Sequence, residues 1–484
     1  MVIELPRQVK QIIDTLQAYG CEAYAVGGCV RDAILGKEPQ DWDITTSALP
    51  KQVKALFRRT IDTGIQHGTV TVLLDREGFE VTTYRVDGKY EDGRHPTEVS
   101  FTASLTEDLK RRDFTMNAMA YNEMEGLVDL FHGAEDLERR VIRCVGVAKE
   151  RFSEDALRIL RAFRFSAQLD FSIEEETLAA ARELAETLHK ISAERIYAEL
   201  LKLLVSEHPE RLLTAYECGI TKVILPEFDR MRETLQHHPA HYAAVGAHSL
   251  DTVCFARCSS VYAGENGFGA EEFRYLRLAA LFHDVGKPDC RSTDEAGVDH
   301  FYGHAEKGAE LVKQLLRRFK ADNATIDTVS RLVRWHDYPF VPEERPLRRA
   351  MHKIGADLFP LLFELRRADL EAHAEPYRTE GSENLRRVWQ VFLEIQSREE
   401  CTSLKDLAVN GNDLIAVGFA PGRELGSVLK QLLLLVIEEP EKNVKEVLLA
   451  EAVASFFGKQ AETGAKTTGV SAGIHAQKEE LLNK

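Results

Sequence analysis

Asp41 and Asp43 flank a single tryptophan, fourteen residues after the glycine pair Gly27-Gly28. Carboxylates two apart on a strand point the same way. Oxygen donors of this kind suit magnesium, which keeps waters and substrate phosphates in its shell. Two carboxylates from one strand and a third from a neighbour suit a pair of ions about 3.5–4 Å apart. Glu80, on the following β-rich run, is the candidate third. Gly28, between a short strand and a helix, lets backbone N–H groups approach a phosphate at a helix N-terminus. Arg31 adds a guanidinium for the same phosphates. Taken singly, these motifs read as a turn and a solvated acidic loop; their order and spacing favour a metal-dependent nucleotide site.

A second group has the chemistry to read a base. With Ser153 as N-cap, Glu154 to Phe165 is predicted as a helix, which puts Asp155 and Arg158 on one face. An aspartate accepts from an exocyclic amine, and an arginine donates to a ring nitrogen or carbonyl oxygen. Cytosine and adenine offer an amine beside an acceptor, whereas uracil and guanine present the wrong order. Such a pair would take CTP and ATP and reject UTP and GTP without a template strand. Arg161 and Arg164 continue the three-residue step and drift round the helix, where phosphates or RNA are the expected partners. The alternative is that Asp155 only complements the helix dipole and the arginines are solvated.

A third group is His283-Asp284 in the run Leu281 to Lys287, with His248 upstream and Asp369 downstream; His304 and the pair His336-Asp337 lie between. Imidazole with carboxylate suits a transition metal better than magnesium. An isolated His-Asp pair is usually only a hydrogen-bonded pair, but the ordered set points to a metal.

These groups need elements to hold them. Ala23 to Val26 reads as a strand and Val30 to Leu35 as a helical turn closed by Gly36. Thr69 to Leu74 and Phe79 to Arg85 read as a hairpin joined by Asp75-Arg76-Glu77-Gly78, and another extended piece lies near Glu98 to Phe101. From about residue 142 the pattern is almost wholly helical; Leu425, Val428, Leu429, Leu432, Leu433 and Val436 form one such stripe. Beyond about Glu462 the composition is that of a disordered tail. At 484 residues, the chain is expected to divide into three or four units. The net charge of −16 argues against non-specific coating of nucleic acid, though one basic face suffices for an RNA enzyme. No apolar run approaches the roughly 18 residues of a membrane span. The N-terminal residues lack a secretory layout, and eight scattered cysteines read as reduced thiols of a cytoplasmic protein.

The run GGCVRDAILG…DWDI resembles the signature of the DNA-polymerase-beta-type nucleotidyltransferases, and most closely the bacterial class II tRNA CCA-adding enzymes and poly(A) polymerases. Arg111 to Ala118 resembles their block for ribose and phosphate, which implies nucleotide binding by Arg112. Glu154 to Arg158 resembles their base-reading block, and the likeness continues through Ile191–Glu199 and Leu407–Gly426. The resemblance implies an α+β head with a mixed sheet over 1–140. After it come an all-α neck over 141–235, a body over 236–375, and a tail over 376–461 that contacts tRNA. It implies stepwise addition of C, C and A to tRNA 3′ ends with Mg2+, and no role for DNA or a membrane. Asp87 to Pro96 resembles the loop that complete CCA-adding enzymes keep, with His95 where relatives usually carry arginine. The set His248, His283, Asp284 and Asp369 resembles the HD phosphohydrolases, whose domain holds a metal. The rival readings are a poly(A) polymerase or A-only enzyme, an HD phosphohydrolase with an RNA-positioning head, and a non-catalytic tRNA binder; the paired carboxylates weigh against the last two.

Overall fold

A computed structural model describes residues 2–87, 99–237 and 243–463. The expected loop from residue 88 onward, including His95, and the tail beyond Thr463 lie outside the described residues. The chain forms two compact units. One comprises the residues up to Leu235 with Val245–Cys254 and Lys313–Ile326; the other comprises the remainder.

The first unit begins with the helix Arg7–Ala18, which buries Val9, Ile12, Ile13 and Leu16 at helical spacing. Its strands are β1 (Ala23–Val26), β2 (Ile44–Thr46), β3 (Thr60–Gly64), β4 (Thr69–Leu74), β5 (Glu77–Thr83), β6 (Arg85–Asp87), β7 (Val99–Phe101), β8 (Met119–Asn122) and β9 (Gly126–Asp129). Seven form one mixed sheet in the order β3-β4-β5-β2-β1-β8-β9, while β6 pairs with β7. In β5, Phe79, Val81 and Thr83 are buried while Glu80 on the opposite face is exposed, the period-two pattern of a half-buried strand. The hairpin before it is tighter than the sequence predicts. Leu74 pairs with Glu77, so only Asp75 and Arg76 turn the chain. Both have positive φ, 50° and 74°, as a type I′ turn requires. The parallel pairing of β2 with β5 sets Ile44 against Val81 and Thr45 against Thr82. One step further back, this register brings Asp43 beside Glu80.

The helical part of this unit corrects one prediction. Ser153 does not cap a helix: its hydroxyl donates to the Lys149 carbonyl at 2.7 Å, inside the helix Ala148–Glu154. The chain breaks at Asp155 (φ −138°, ψ 104°), and a second helix runs from Leu157 to Leu169. Asp155 takes the role expected of Ser153, accepting from the Leu157 N–H at 3.0 Å.

The second unit is mainly helical. Phe359, Phe363, Trp389 and Phe392 pack ring against ring within it, Phe392 stacked on both Phe359 and Trp389. Further along the chain, the helix Arg423–Glu438 buries Leu432, Leu433, Val436 and Ile437, with Leu425, Val428 and Leu429 packed beside them. The predicted stripe therefore faces a core. Two short ladders interrupt the helices after residue 140, Val141–Ile142 with Ser172–Ile173 and Ser292–Thr293 with Asp299–His300. Among the described residues, no helix is long and apolar enough to cross a membrane.

Leu433, only 1% exposed, gives a direct test of that core. Leu433→Ala should cost about 2–5 kcal/mol, read as faster amide exchange over residues 423–463 with unchanged exchange in the β-sheet. Unchanged exchange in both regions would mean that the stripe does not hold the terminal helices.

Candidate functional sites

Asp41, Asp43 and Glu80 line one cavity of about 1220 Å³ with Arg7, Trp42 and Thr71. The two aspartates lead into β2 and are not on it, since the strand begins at Ile44. Pairing with β1 nevertheless starts at Asp43, whose carbonyl accepts from the Val26 N–H at 3.0 Å. The strand-like presentation expected from the sequence is thus supplied by the extended lead-in. Asp43 is raised above the ordinary carboxylate range, chiefly by loss of water around its carboxylate; the Arg112 guanidinium opposes this and the Asp41 charge adds to it. Glu80 is raised by loss of water and then by the charges of Asp43 and Asp41. Neighbouring carboxylate charge thus adds to the raising of Asp43 and Glu80, and a divalent cation would relieve that crowding.

Beside the acids, the glycine turn is built for close approach. Gly27 has φ 84°, which disfavours any other residue there, and a Cβ would lie 2.9 Å from Arg112 Nη1, so the arginine tip would have to shift. Gly28 opens the helix Gly28–Ile34. Arg31 on that helix is only 9% exposed. Its guanidinium donates to both Asp32 oxygens at 2.8 and 3.0 Å and to Asn117 Oδ1 at 2.8 Å. Asn117 in turn donates to Asp113 at 3.1 Å, and Arg161 grips the other Asp113 oxygen at 2.7 and 2.6 Å. Burial pushes Asp113 up, but Arg161 and Asn117 outweigh it and hold the carboxyl at about 2. Arg31, Arg161 and Arg164 all lie against the Phe165 ring. This network ties the glycine turn and the Arg112–Ala118 block to the helix Leu157–Leu169.

The two base-reading candidates sit where the helices part. Asp155 accepts from Leu157 N–H and, through its other oxygen, from Arg195 at 2.8 Å. Arg158 donates to Glu154 at 2.7 Å, to the Arg111 carbonyl at 2.9 Å and to the Arg151 carbonyl at 3.2 Å. Arg164 turns inward to Glu199 at 2.6 Å and Gln168 at 2.8 Å. Glu154 and Arg195 were missed as positioning groups, though both lie inside the segments that carry the resemblance.

In the second unit, His283, Asp284 and Asp369 come together: His283 Nε2 lies 3.3 Å from Asp284 and 3.6 Å from Asp369. Burial pushes His283 down, but the two carboxylates outweigh it and raise the imidazole to about 10. Asp284 is held well below its usual range, where the His283 and Lys287 charges overcome the effect of burial. His248 is buried on the helix Val245–Phe255 and belongs to the first unit. Three histidines absent from the expected ligand set join the cluster. His304 and His336 approach Asp284 at 3.5 and 3.6 Å, and His373 approaches Asp369 at 3.5 Å. Tertiary folding alone brings them in; no spacing in the sequence marks them as ligands. The cluster opens on a cavity of about 630 Å³ whose lining includes Arg334, Trp335, Tyr338, Lys353 and Arg366.

Known proteins resemble the chain over nearly its whole length. The family described as "Poly A polymerase head domain" matches residues 23–143, the RNA- and SrmB-binding region of polymerase A matches 170–232, and tRNA nucleotidyltransferase domain 2 matches 300–452. The CCA-adding enzyme of Enterococcus faecalis is 35% identical over 96% of this chain and 98% of its own length. That of Levilactobacillus brevis is 36% identical over 91% and 96%. The crystal structure of the Bacillus stearothermophilus CCA-adding enzyme in complex with CTP superposes with a TM-score of 0.69 at 30% identity, covering 95% of this chain and 100% of that one. Sheet, acidic cavity and neck thus agree with full-length sequence similarity: the chain belongs to the family of CCA-adding enzymes, which are nucleotidyltransferases.

Proposed function

We propose that the first unit adds C, C and A to the 3′ end of tRNA from CTP and ATP, with magnesium at Asp41, Asp43 and Glu80. The reaction forms a phosphodiester between the RNA 3′-oxygen and the nucleotide α-phosphorus, releases pyrophosphate, and frees the hydroxyl proton. The observation that carries this reading is the convergence of three carboxylates, Asp41, Asp43 and Glu80, in one cavity. All three donors are oxygens, which fits magnesium rather than a softer ion. When bound, the metal would supply positive charge to the attacking oxygen and the leaving pyrophosphate.

The protein's own groups do the rest. Asp41, Asp43 and Glu80 hold the cation charge; Arg112, beside Asp43, faces the same region with its guanidinium. Gly27 and Gly28 let the backbone approach the triphosphate. Arg31 and Arg161 fix the shape of that turn through Asn117 and Asp113. Asp155 and Arg158 read the base. A carboxylate has about four lone-pair sites and a guanidinium five donors, so each keeps capacity beyond its internal partners. In this reading residues 1–140 are the catalytic head, 141–235 the base-reading neck, and the body (236–375) and tail (376–461) grip the acceptor arm by shape, as suits duplex RNA. We place the protein in the cytoplasm, where its cysteines stay reduced.

A second reading attaches to the second unit. The convergence of His283, Asp284 and Asp369 beside a cavity with cationic lining supports a metal-dependent phosphohydrolase, as the HD resemblance implies. Release of p-nitrophenol from its phosphate esters, dependent on a transition metal and lost in Asp284→Asn, is the expected result; no release with any divalent ion would sink it.

Three further outcomes test the first reading. Incubating tRNAs that lack one, two or three terminal nucleotides with single nucleotides and sequencing the ends should show C, C and A in that order. Asp43→Asn should lower addition by on the order of 10³-fold, the scale of losing a charge-stabilising group, with tRNA binding retained; near-normal addition would refute the metal assignment. Asp155→Asn should narrow the preference for CTP over UTP by roughly 10–100-fold, since one reading group is left mispaired. Unchanged ratios for all four nucleotides would remove Asp155 from the base-reading role.

Glu80 tests the electrostatics without catalysis. Its folded-state pKa is raised, so protonation favours the fold, and stability is gained as pH falls through that raised value. At neutral pH the ionised carboxylate therefore works against folding. Glu80→Gln should raise the melting temperature in chelator at pH 7.5, and the gain should shrink when magnesium is added. A lower melting temperature in chelator would contradict the crowding of charge.

A further inference from the structure

The carboxylate of Asp108 is fully buried, on the helix Leu105–Lys110. Ser104 Oγ accepts from the Glu107 N–H at 3.4 Å and so caps the first turn. The next residue, Leu109, seats the helix in the apolar cluster of Tyr24, Val26, Tyr84 and Ala120. Leu109 thus anchors the helix to the sheet, and Asp108 beside it reaches β2.

Donors from Thr45, Arg85, Arg111 and Arg112 converge on this carboxylate. Oδ2 accepts from the Thr45 hydroxyl at 3.1 Å, and Thr45 lies on β2 just past Asp43. The Arg112 guanidinium stands 3.5 Å from the same oxygen. Oδ1 accepts from Arg111 Nη2 and Nε at 2.7 and 3.0 Å, and from the Arg85 N–H of β6 at 3.3 Å. Burial pushes Asp108 up, but the Arg111 and Arg112 charges overcome this and hold the carboxyl below its usual range. An ionised carboxylate offers about four lone-pair sites and no proton, which matches these donors.

The two arginines lead to different parts of the nucleotide site. The Arg111 carbonyl accepts from Arg158 Nη2 at 2.9 Å, so the placement of Arg111 sets where Arg158 rests. Arg112 borders the glycine turn through Nη1. Its buried Nε has no hydrogen-bond partner. Among the described residues, Asp108 is the carboxylate that forms an ion pair with Arg112. Arg112 is therefore held chiefly by charge, with donor capacity left over.

We propose that Asp108 is a positioning residue for nucleotide addition: one buried carboxylate sets Arg112 beside the triphosphate and, through Arg111, Arg158 against the base, and ties both to the strand that follows Asp43. This rests on the reading of Arg112 and Arg158 given above. Losing the Asp108 charge weakens the hold on the nucleotide and blurs the choice of base, and leaves the grip on RNA alone.

The test is Asp108→Asn, which keeps the size of the side chain but turns one acceptor into a donor that faces other donors. Initial rates of the full chain with magnesium are measured against CTP, UTP and a tRNA lacking its last three nucleotides. The KM for CTP should rise and the preference for CTP over UTP should narrow, each by about 10- to 100-fold, the scale on which a displacement of about 1 Å acts. The KM for tRNA should not change. A carboxylate that only stabilised the fold would lower the melting temperature and the amount of active enzyme, with the KM for CTP and the preference unmoved; that result overturns the proposal. Should Asp108→Asn fail to fold, Arg111→Gln cuts the same link from a partly exposed side chain. It should narrow the preference, and an unchanged preference there also overturns the proposal. Arg158→Ala separates this inference from the reading beneath it. A preference altered in Arg158→Ala but not in Asp108→Asn overturns the positioning role alone. No alteration in Arg158→Ala overturns the base-reading assignment and the positioning role with it.

Discussion

The charge on Asp113 is what the first unit's site depends on. It is 8% exposed, and a carboxylate removed from water is strongly unfavourable unless it is paired and hydrogen-bonded. Arg161 and Asn117 meet that demand. In doing so they join the helix Leu157–Leu169 to the 3₁₀ turn Thr115–Asn117. Asn117 passes the constraint to Arg31, and Arg31 to the helix that follows the glycine pair. A chain of polar contacts thus fixes the glycine turn and the helix Leu157–Leu169 relative to each other, with Phe165 as the flat surface on which three guanidinium groups rest.

The acidic cavity and the histidine cluster use opposite electrostatic designs. In the cavity, Asp43 and Glu80 sit in an environment that disfavours their own charge, which a hard cation would offset. Asp284 is surrounded by Lys287 and histidines that favour its charge. A carboxylate there stays ionised without help from a bound cation. On the proposed readings, the two sites would sort ions by softness, oxygen donors taking a hard ion and imidazoles a softer one.

Much of this could be read in the residues. Ala23–Val26 and Thr69–Leu74 are strands over the predicted spans, because apolar and β-branched residues there leave little alternative. Asp41, Asp43 and the candidate Glu80 were singled out by type and spacing and do line one cavity, but the sequence could not show that β2 starts only at Ile44. The helix expected from Glu154 failed for a tertiary reason. Asp155 is tied to Arg195, forty residues on, and that contact outweighs the local preference of Ser153 to cap. The hairpin turned on two residues rather than four because Asp75 and Arg76 accept positive φ, which composition rarely reveals for an arginine. His304 and His336 were visible as histidines; their meeting at Asp284 depends on a close backbone approach that only Gly286 permits.

The break between the helices Ala148–Glu154 and Leu157–Leu169 has one more consequence. It leaves Asp155 and Arg158 held by Arg195, Glu154 and backbone groups of the protein itself. On the proposed reading, the same pair then meets the base at every step and keeps no tally of earlier ones. An ordered series of additions would not be counted by these two side chains. The count would reside in the growing RNA end, whose length changes the space left around one pair of hydrogen-bonding groups.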